Sequence, residues 1–156
     1  MKVVDFDGKT LGKKVQIHSL KVPANTSQCV YRINIDGWLT PEECQRCFLQ
    51  LILKDKSGHP VAEAVHFFKK TKDLQLPPAS VSYKMKQTDG KCELTLFSST
   101  LAKDLFIEIP LQGARYSDNF FDLLPGERKK VIITSPQIKK GEEFSVNIKH
   151  IRETYK

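Results

Sequence analysis

Short runs of alternating apolar and polar residues, turn residues between the runs and a single helix-start signal predict an all-β protein. The spacing of these runs is typical of immunoglobulin-like antiparallel β-sandwiches. At 156 residues, the chain is long enough to bury a core without help from disulfides or a metal. We therefore expect one or two small sandwiches, accompanied by one short helix.

The first half of the chain contains five strand patterns. They cover residues 3–6, 13–20, 28–35, 48–53 and 61–68, with Asp7-Gly8 as a hairpin turn after the first. An immunoglobulin-type sandwich uses about seven strands in ~100 residues, so this half has too few for a complete one. We expect an incomplete N-terminal sheet with an exposed edge, where a partner or a second copy of the chain can pair.

The sequence Thr40-Pro41-Glu42-Glu43 predicts the start of the short helix. Threonine can cap the first turn, proline suits the first helical position, and Glu43 completes a capping box with Thr40. Because residues 48–53 already have the apolar pattern of a buried strand, the helix must end within a few residues.

A charged segment over residues 69–79 interrupts the strand series. It contains Pro77-Pro78, which lacks amide donors and cannot lie in a central strand. We place a domain boundary here, with residues 1–75 forming a partial immunoglobulin-like sandwich and residues 76–156 a C-terminal immunoglobulin-like sandwich. The first eight residues lack the apolar core of a signal peptide, so we expect the chain to begin inside a larger protein.

The second half has enough strand patterns for a small sandwich. They cover residues 81–86, 92–96, 105–109, 130–134 and 143–148. Asp89-Gly90 and Lys140-Gly141 supply turn signals between neighbouring patterns. In each strand the apolar positions repeat every second residue, which predicts one buried and one solvent-facing side.

Residues 115–127 form the most distinctive segment, a long ordered corner between two strands. Its apolar side chains need burial: Phe120, Phe121, Leu123 and Leu124. Its polar side chains favour turns and need backbone partners or water: Ser117, Asp118, Asn119 and Asp122. Pro125-Gly126 ends the segment, because proline presets φ and glycine accepts a positive φ.

The charge pattern argues against two classes of partner. Lys and Arg number 25 and Asp and Glu 18, which gives a formal charge of +7. The basic residues form short runs beside predicted turns and strand ends, where they discourage strand edges from pairing. No apolar run is long enough to cross a bilayer. We expect neither a nucleic-acid partner nor insertion into a membrane.

The sequence offers no convincing catalytic centre, metal site or cofactor site. The acidic pairs Glu42-Glu43 and Glu142-Glu143 fall at a helix start and a strand entrance, where structural roles suffice. No nucleophile elbow or phosphate loop accompanies the histidines. The Cys44-Gln45-Arg46-Cys47 motif has neither a second CxxC for zinc nor a βαβ setting for redox chemistry. Free or structural thiols are favoured there over a local disulfide.

The binding candidates are residues in predicted loops and corners that carry aromatic rings or flank them. In the favoured interpretation, Phe120 and Phe121 plug the end of a sandwich and Trp38 packs beneath the short helix. In the alternative, a rim faces either a sugar or a neighbouring domain. The rim residues would be Arg115, Tyr116, Asp118, Asn119 and Trp38.

The string Ser117-Asp-Asn-Phe-Phe-Asp-Leu-Leu-Pro-Gly-Glu127 resembles a signature of the last domain of β-mannosidases, in family 2 of the glycoside hydrolases. The similarity extends to Leu101-Ala-Lys-Asp104 and to Lys72-Asp-Leu-Gln-Leu-Pro77. Asp5-Phe-Asp-Gly8 and Val22-Pro-Ala24 are similar to pieces of the preceding domain. The resemblance therefore covers nearly the whole chain and is densest from residue 72 onward.

The resemblance implies a non-catalytic C-terminal part of a retaining exo-hydrolase that removes terminal β-D-mannose from glycans. In such enzymes the catalytic glutamates lie in a (β/α)₈ barrel, and no position here matches those motifs. The implied partners are the remaining domains of the parent enzyme, above all the barrel, with a glycan contact as a further option. A periplasmic, secreted or lysosomal location is implied.

Three alternatives stay open at this point. Exo-β-glucosaminidases have related C-terminal sandwiches, so a parent specific for glucosamine fits the resemblance as well. The chain could instead be an independent carbohydrate-binding module, which requires solvent-facing rings on one surface. It could also be a protein-interaction β domain that acts through an open sheet edge.

Overall fold

A computed structural model of the chain describes residues 1–12 and 14–154, which form antiparallel sheets and short 3₁₀ turns. The predicted all-β, immunoglobulin-like class is confirmed. The chain divides into two compact units. The first unit comprises Met1–Asp5 and the described part of Lys9–Gln75. The second comprises Phe6–Gly8 and the described residues from Leu76 onward.

The first unit contains one antiparallel sheet of four strands in the order β2-β1-β3-β4. These are β1 (Lys2–Asp5), β2 (Thr10–Leu11), β3 (Cys47–Lys54) and β4 (Pro60–Phe67). The buried side chains of Val3, Cys47 and Leu49 form a small core. Within the described residues this unit has one sheet, where a complete sandwich has two.

Two of the predicted strands are absent from the structure. Residues 14–20 and 28–35 carry no strand, and Lys13, at the start of the first pattern, lies outside the described residues. Alternation produces a strand only where a neighbour accepts its hydrogen bonds and a core covers its apolar side. Residues 28–35 lack a covering core, because Val30 and Tyr31 remain 43% and 44% exposed. In residues 14–20, Val15 exchanges hydrogen bonds of 2.9 and 2.7 Å with Met1, but this pairing does not extend into a strand.

The edge of the first sheet is open in the described residues. Strand β4 is the last strand and pairs only with β3. Toward the β3–β4 turn, apolar side chains reach solvent, with Ile52 39%, Leu53 48% and Val61 59% exposed. An edge strand with exposed apolar side chains is a feature that invites strand pairing.

The predicted capping box at Thr40 is confirmed. The backbone amide of Thr40 donates to Glu43 Oε2 at 2.8 Å, and the amide of Glu43 donates to Thr40 Oγ1 at 3.2 Å. The helix is a single 3₁₀ turn over Glu43–Gln45, because β3 begins at Cys47. Two amides at the helix start thus have side-chain partners, as a capping box provides.

The second unit is a sandwich of two sheets. Strands β5 (Ser82–Thr88), β6 (Lys91–Phe97), β10 (Arg128–Thr134) and β8 (Arg115–Tyr116) form one sheet in the order β5-β6-β10-β8. Strands β7 (Ala102–Glu108), β9 (Phe121–Leu123) and β11 (Asn147–Lys149) form the other in the order β11-β7-β9. All pairings are antiparallel.

The core of the second unit follows the period of two along each strand. Leu94 and Leu96 on β6, Leu105 and Ile107 on β7, and Val131 on β10 are all fully buried. Their polar neighbours in sequence face outward. The sequence predicted this alternation, because the inner faces of the two sheets pack against each other and require apolar side chains.

The second unit also has a C-terminal anchor, a 3₁₀ turn over Ile151–Thr154. His150, just before it, is buried, and its Nε2 lies 3.1 Å from the carbonyl oxygen of Ala79.

Among the described residues, none of the helical segments is both long enough and apolar enough to cross a membrane.

All four cysteines are free thiols. The favoured interpretation of the CxxC motif, free or structural thiols, is therefore confirmed over a disulfide between Cys44 and Cys47. Cys47 and Cys92 are buried, whereas Cys29 is exposed. Burial raises the pKa of the Cys47 thiol to about 12, with smaller contributions from the neighbouring Cys44, Glu43 and Asp5.

These environments predict the order in which the thiols react. At pH 8, with no reductant, an aromatic disulfide reagent should modify Cys29 first and Cys44 next, while Cys47 and Cys92 resist, because the thiolate is the nucleophile. Mass spectrometry of peptides from timed samples gives the order. The same protein in guanidinium chloride serves as control and should yield four reactive thiols. Equal rates for Cys47 and Cys29 in the native protein would contradict the burial described here.

Candidate functional site

The segment 115–127 carries the chain from one sheet of the second unit to the other and back. It leaves β8, which pairs with β10, passes through β9, which pairs with β7, and returns to β10. A chain that changes sheets interrupts two backbone ladders, and the freed groups need other partners. The polar residues of the segment supply most of them.

Ser117 continues the pairing with β10 beyond Tyr116, the last paired residue of β8. Its amide donates to the carbonyl of Ile132 at 2.8 Å, and its hydroxyl oxygen accepts the Ile132 amide at 2.9 Å. The Ser117 hydroxyl therefore takes the place of a backbone carbonyl as the acceptor for the Ile132 amide. Asp118 then pairs with Lys129 at 2.7 Å, and the Lys129 ammonium lies 4.3 Å from the centre of the Phe121 ring.

Asn119 links the corner to the sheet β11-β7-β9. Its Oδ1 accepts the amide of Ile107 at 2.9 Å, and its Nδ2 donates to the carbonyl of the same residue at 2.9 Å. The carboxamide thus satisfies both backbone groups of a residue in β7, as a paired strand would. The same oxygen also accepts the amide of Phe120 at 3.0 Å.

Phe120 departs from the sequence-based expectation that it plugs the sandwich. It is 70% exposed and has a φ of 57°, in the left-handed region. Holding a residue other than glycine there costs on the order of 1–3 kcal/mol. The turn at Asn119 brings the Phe120 ring onto the outer side of the sheet, where it stacks on Phe106 with centroids 4.8 Å apart and planes at 27°.

The expectation of burial holds for the other apolar residues of the corner. Phe121, Leu123 and Leu124 are buried. Phe121 and Leu123 lie on the same side of β9, so Phe120 and Asp122 must face the other way. The sequence-based error came from treating the two phenylalanines as one unit rather than as neighbours on a strand of period two.

Asp122 organises the outer side of the same sheet. Its Oδ1 accepts the backbone amide of Asp104 at 2.9 Å and lies 3.3 Å from the Lys103 ammonium. Asp104 has a φ of 50° and sits where the register between β7 and β9 shifts. The carboxylate therefore satisfies an amide that the irregular ladder leaves unpaired.

The Pro125-Gly126 turn is confirmed. Gly126 has a φ of 76°, and the amide of Glu127 donates to the carbonyl of Leu124 at 3.0 Å. The Glu127 carboxylate returns to accept the Leu124 amide at 3.1 Å. Proline followed by a residue with positive φ is the pattern of a type II turn.

The predicted rim residues have different contacts in the structure. Arg115 is exposed on β8, and Tyr116 packs on the core while its hydroxyl accepts the Ile109 amide at 3.1 Å. Asp118 and Asn119 hold the corner as described. Trp38 belongs to the first unit, whereas the other four rim residues belong to the second.

Trp38 is half-buried and packs against the small core of the first unit. With Val3, Leu11 and Leu39 it lines a shallow, mostly apolar cavity of about 250 Å³. The ring thus contributes to packing in the first unit. The described residues that line the cavity include no charged side chain, so they do not supply the convergent polar groups that orient a ligand.

Phe106 is the residue of the corner that sequence reasoning missed. It lies between the buried Leu105 and Ile107 on β7, so alternation alone places its ring outward. A large aromatic side chain on a solvent-facing strand position was the available signal. Its significance depends on Phe120, which is brought beside it only by the corner.

The carboxylate of Glu93 has a basic partner on the neighbouring strand. The Lys130 ammonium, 3.0 Å from Glu93, holds the pKa of that carboxyl below its usual range. A general acid needs the opposite, a carboxyl whose pKa is raised by burial or by a neighbouring anion. Within residues 1–12 and 14–154, no cluster of three or more histidine, cysteine or acidic side chains is arranged to hold a metal ion.

Comparison with known families assigns both halves of the chain. A model described as an Ig-fold domain of mannosidases matches residues 76–154, half of the chain. The chain belongs to the mannosidase Ig-fold family. A second model, the mannosidase Ig/CBM-like domain, matches residues 1–73. The resemblance seen in the corner sequence therefore holds for the chain as a whole.

A solved structure supports the fold of this mannosidase Ig-fold region. The crystal structure of β-D-mannosidase from Dictyoglomus thermophilum matches with a TM-score of 0.71 and 23% sequence identity. The match covers 96% of this chain and 18% of that one, so the region spans under a fifth of the solved protein. A search of curated proteins found no match.

Two neighbouring phenylalanines give a matched test of the corner. Phe121→Ala should lower the free energy of unfolding by about 3–5 kcal/mol, because a buried ring is lost. Phe120→Ala should lower it by less than about 1 kcal/mol, because an exposed side chain is lost. Urea unfolding followed by circular dichroism measures both. A larger loss for Phe120 than for Phe121 would contradict the orientation of the rings.

The carboxamide of Asn119 can be tested in the same way. Asn119→Ala should cost about 1–3 kcal/mol, because the amide and carbonyl of Ile107 lose their partner. Asn147→Ala is the control: Asn147 lies exposed on the same sheet, and its side chain contacts Glu108 at 3.3 Å. The control should change the free energy by less than about 0.5 kcal/mol. Equal effects of the two substitutions would rule out a structural role for the Asn119 bonds.

Proposed function

We propose that the chain is a non-catalytic C-terminal region of a β-mannosidase-type glycoside hydrolase, whose parent removes terminal β-D-mannose residues from glycans. The observation that carries the proposal is the match of both halves to mannosidase Ig-type domains, over residues 1–73 and 76–154. In this arrangement residues 1–75 form the end of the penultimate domain and residues 76–156 form the last domain. Their role is to support the catalytic barrel.

The described side chains suit a supporting role. The polar residues of the corner are engaged with backbone groups or with lysines, as in the pairs of Asn119 with Ile107 and Asp118 with Lys129. Groups held in this way brace packing and are not free to exchange protons with a substrate. Rigid sandwiches of this kind provide fixed surfaces against which other domains can pack.

The open edge of the first sheet favours a partner that supplies backbone pairing. At the turn end of this edge, Val61 on β4 and Ile52 and Leu53 on the neighbouring β3 carry exposed apolar side chains. The partner assigned by the proposal is another part of the parent enzyme. Self-association of two copies through β4 is the second candidate, favoured by the same edge.

The proposal predicts the outcome of two measurements. Purified chain should release no product from an aryl β-D-mannoside above the rate in buffer, because the catalytic carboxyl pair lies elsewhere. The complete transcript that encodes the chain should also encode a (β/α)₈ barrel with two glutamates at strand ends. Turnover that co-purifies with the chain and is lost on substitution of one of its acidic residues would overturn the proposal. A transcript without a barrel would do the same.

A further inference from the structure

The outer side of the sheet β11-β7-β9 carries an aromatic surface that the supporting role does not use. It consists of the stacked rings of Phe120 and Phe106, which we call the Phe120 platform. Phe120 is 70% exposed, and Phe106 beneath it is half-buried. An isolated exposed apolar residue is ordinary, but two stacked rings held on a sheet form a defined flat surface.

The position of the platform is fixed by strain and by hydrogen bonds. The φ of 57° at Phe120 is unfavourable for a residue with a side chain, and the ring gains little burial in return. Asn119 holds the residue there through its bonds to Ile107 and to the Phe120 amide. A strained, exposed and well-anchored aromatic side chain has the properties of a preorganised binding group.

Polar groups of both signs border the platform. Lys149 lies directly opposite Phe106 on the neighbouring strand, and Asn147 lies opposite Glu108. Residues opposite one another in an antiparallel pair project to the same side of the sheet. Beyond Phe120, the carboxylate of Asp122 faces the same side and contacts the Lys103 ammonium. Donors and acceptors therefore stand next to an exposed aromatic ring, whose face can stack on the apolar face of one sugar ring.

This composition distinguishes between two kinds of ligand. The centre of a protein–protein interface is depleted of charged residues and extends over roughly 800 Å² on each partner. Here two rings are bordered at once by ammonium and carboxylate groups, which an apolar protein surface would leave unpaired. A pyranose ring has an apolar face for stacking and hydroxyl groups at its rim that both donate and accept hydrogen bonds.

We propose that the Phe120 platform binds a neutral pyranose unit of a glycan, which stacks on the Phe120 ring, accepts a hydrogen bond from the Lys149 ammonium and donates one to the Asp122 carboxylate. The platform rests on the geometry of the second unit alone. The choice of mannose as the preferred sugar rests on the proposed function. The platform would place a glycan-binding surface outside the catalytic barrel and give the accessory region a binding role of its own.

The test is a titration of the whole chain with β-1,4-mannotetraose and, separately, with cellotetraose, followed by backbone amide spectra. Binding should be weak, in the millimolar range, because one shallow platform supplies it. The amide signals of Phe106, Phe120 and Lys149 should move. Phe120→Ala should weaken binding about tenfold or more, and Phe120→Tyr should retain it. Tyr83→Ala removes a ring that is 43% exposed on the other sheet and should leave binding unchanged.

Each outcome decides the proposal. Shifts at the platform that disappear in Phe120→Ala and persist in Tyr83→Ala support it, with either saccharide. If only cellotetraose binds, the platform stands and the assignment of mannose fails, independently of what the transcript shows about the parent. No shift with either saccharide overturns the proposal. So does binding that survives in Phe120→Ala, or shifts at the platform that follow protein concentration alone and indicate pairing of two copies.

Discussion

The two hydrogen bonds between the Asn119 carboxamide and the backbone of Ile107 determine how the second unit is organised around its corner. They let the chain leave one sheet and join the other without leaving a buried backbone group unpaired. They also set the direction of the next two side chains. Phe121 enters the core and Phe120 is directed outward, so one polar contact decides both the packing of the sandwich end and the character of its outer surface.

In the corner, polar side chains stabilise the fold by bonding to the backbone. Ser117, Asp122 and Glu127 each replace a backbone partner that the chain path removes. Such bonds contribute modestly when made and cost more when one partner is missing, because an unpaired buried group keeps its desolvation penalty. A segment so rich in acids and amides therefore need not indicate an active site. Its composition follows from the geometry of a strand that changes sheets.

Local sequence pattern predicted much of the second unit and less of the first. The strands around Leu94 and Leu105 alternate cleanly because each has a paired neighbour and a facing sheet. The residues around Tyr31 alternate just as cleanly, but they form no strand and remain largely exposed. Alternation records what a segment can do when a partner is present, and the partner is a property of the fold rather than of the segment.

The same limit applied to the candidate binding residues. The sequence singled out the corner, and the capping box at Thr40 and the turn at Gly126 formed as their local patterns predicted. The pairing of Phe120 with Phe106 could not be predicted, because it joins residues far apart in the chain through a backbone conformation unusual for phenylalanine. Local sequence propensities do not predict contacts that depend on backbone strain and on pairing between distant residues.

Amide hydrogen exchange at Ile107 tests the central interaction most directly, since that amide donates to Asn119 Oδ1. If the carboxamide completes the sheet, the Ile107 amide in the native protein should exchange as slowly as that of Leu94, in the interior strand β6. Exchange of the Ile107 amide near the rate of an unstructured peptide, with Leu94 still protected, would contradict the account. It would mean that the corner is held by packing alone.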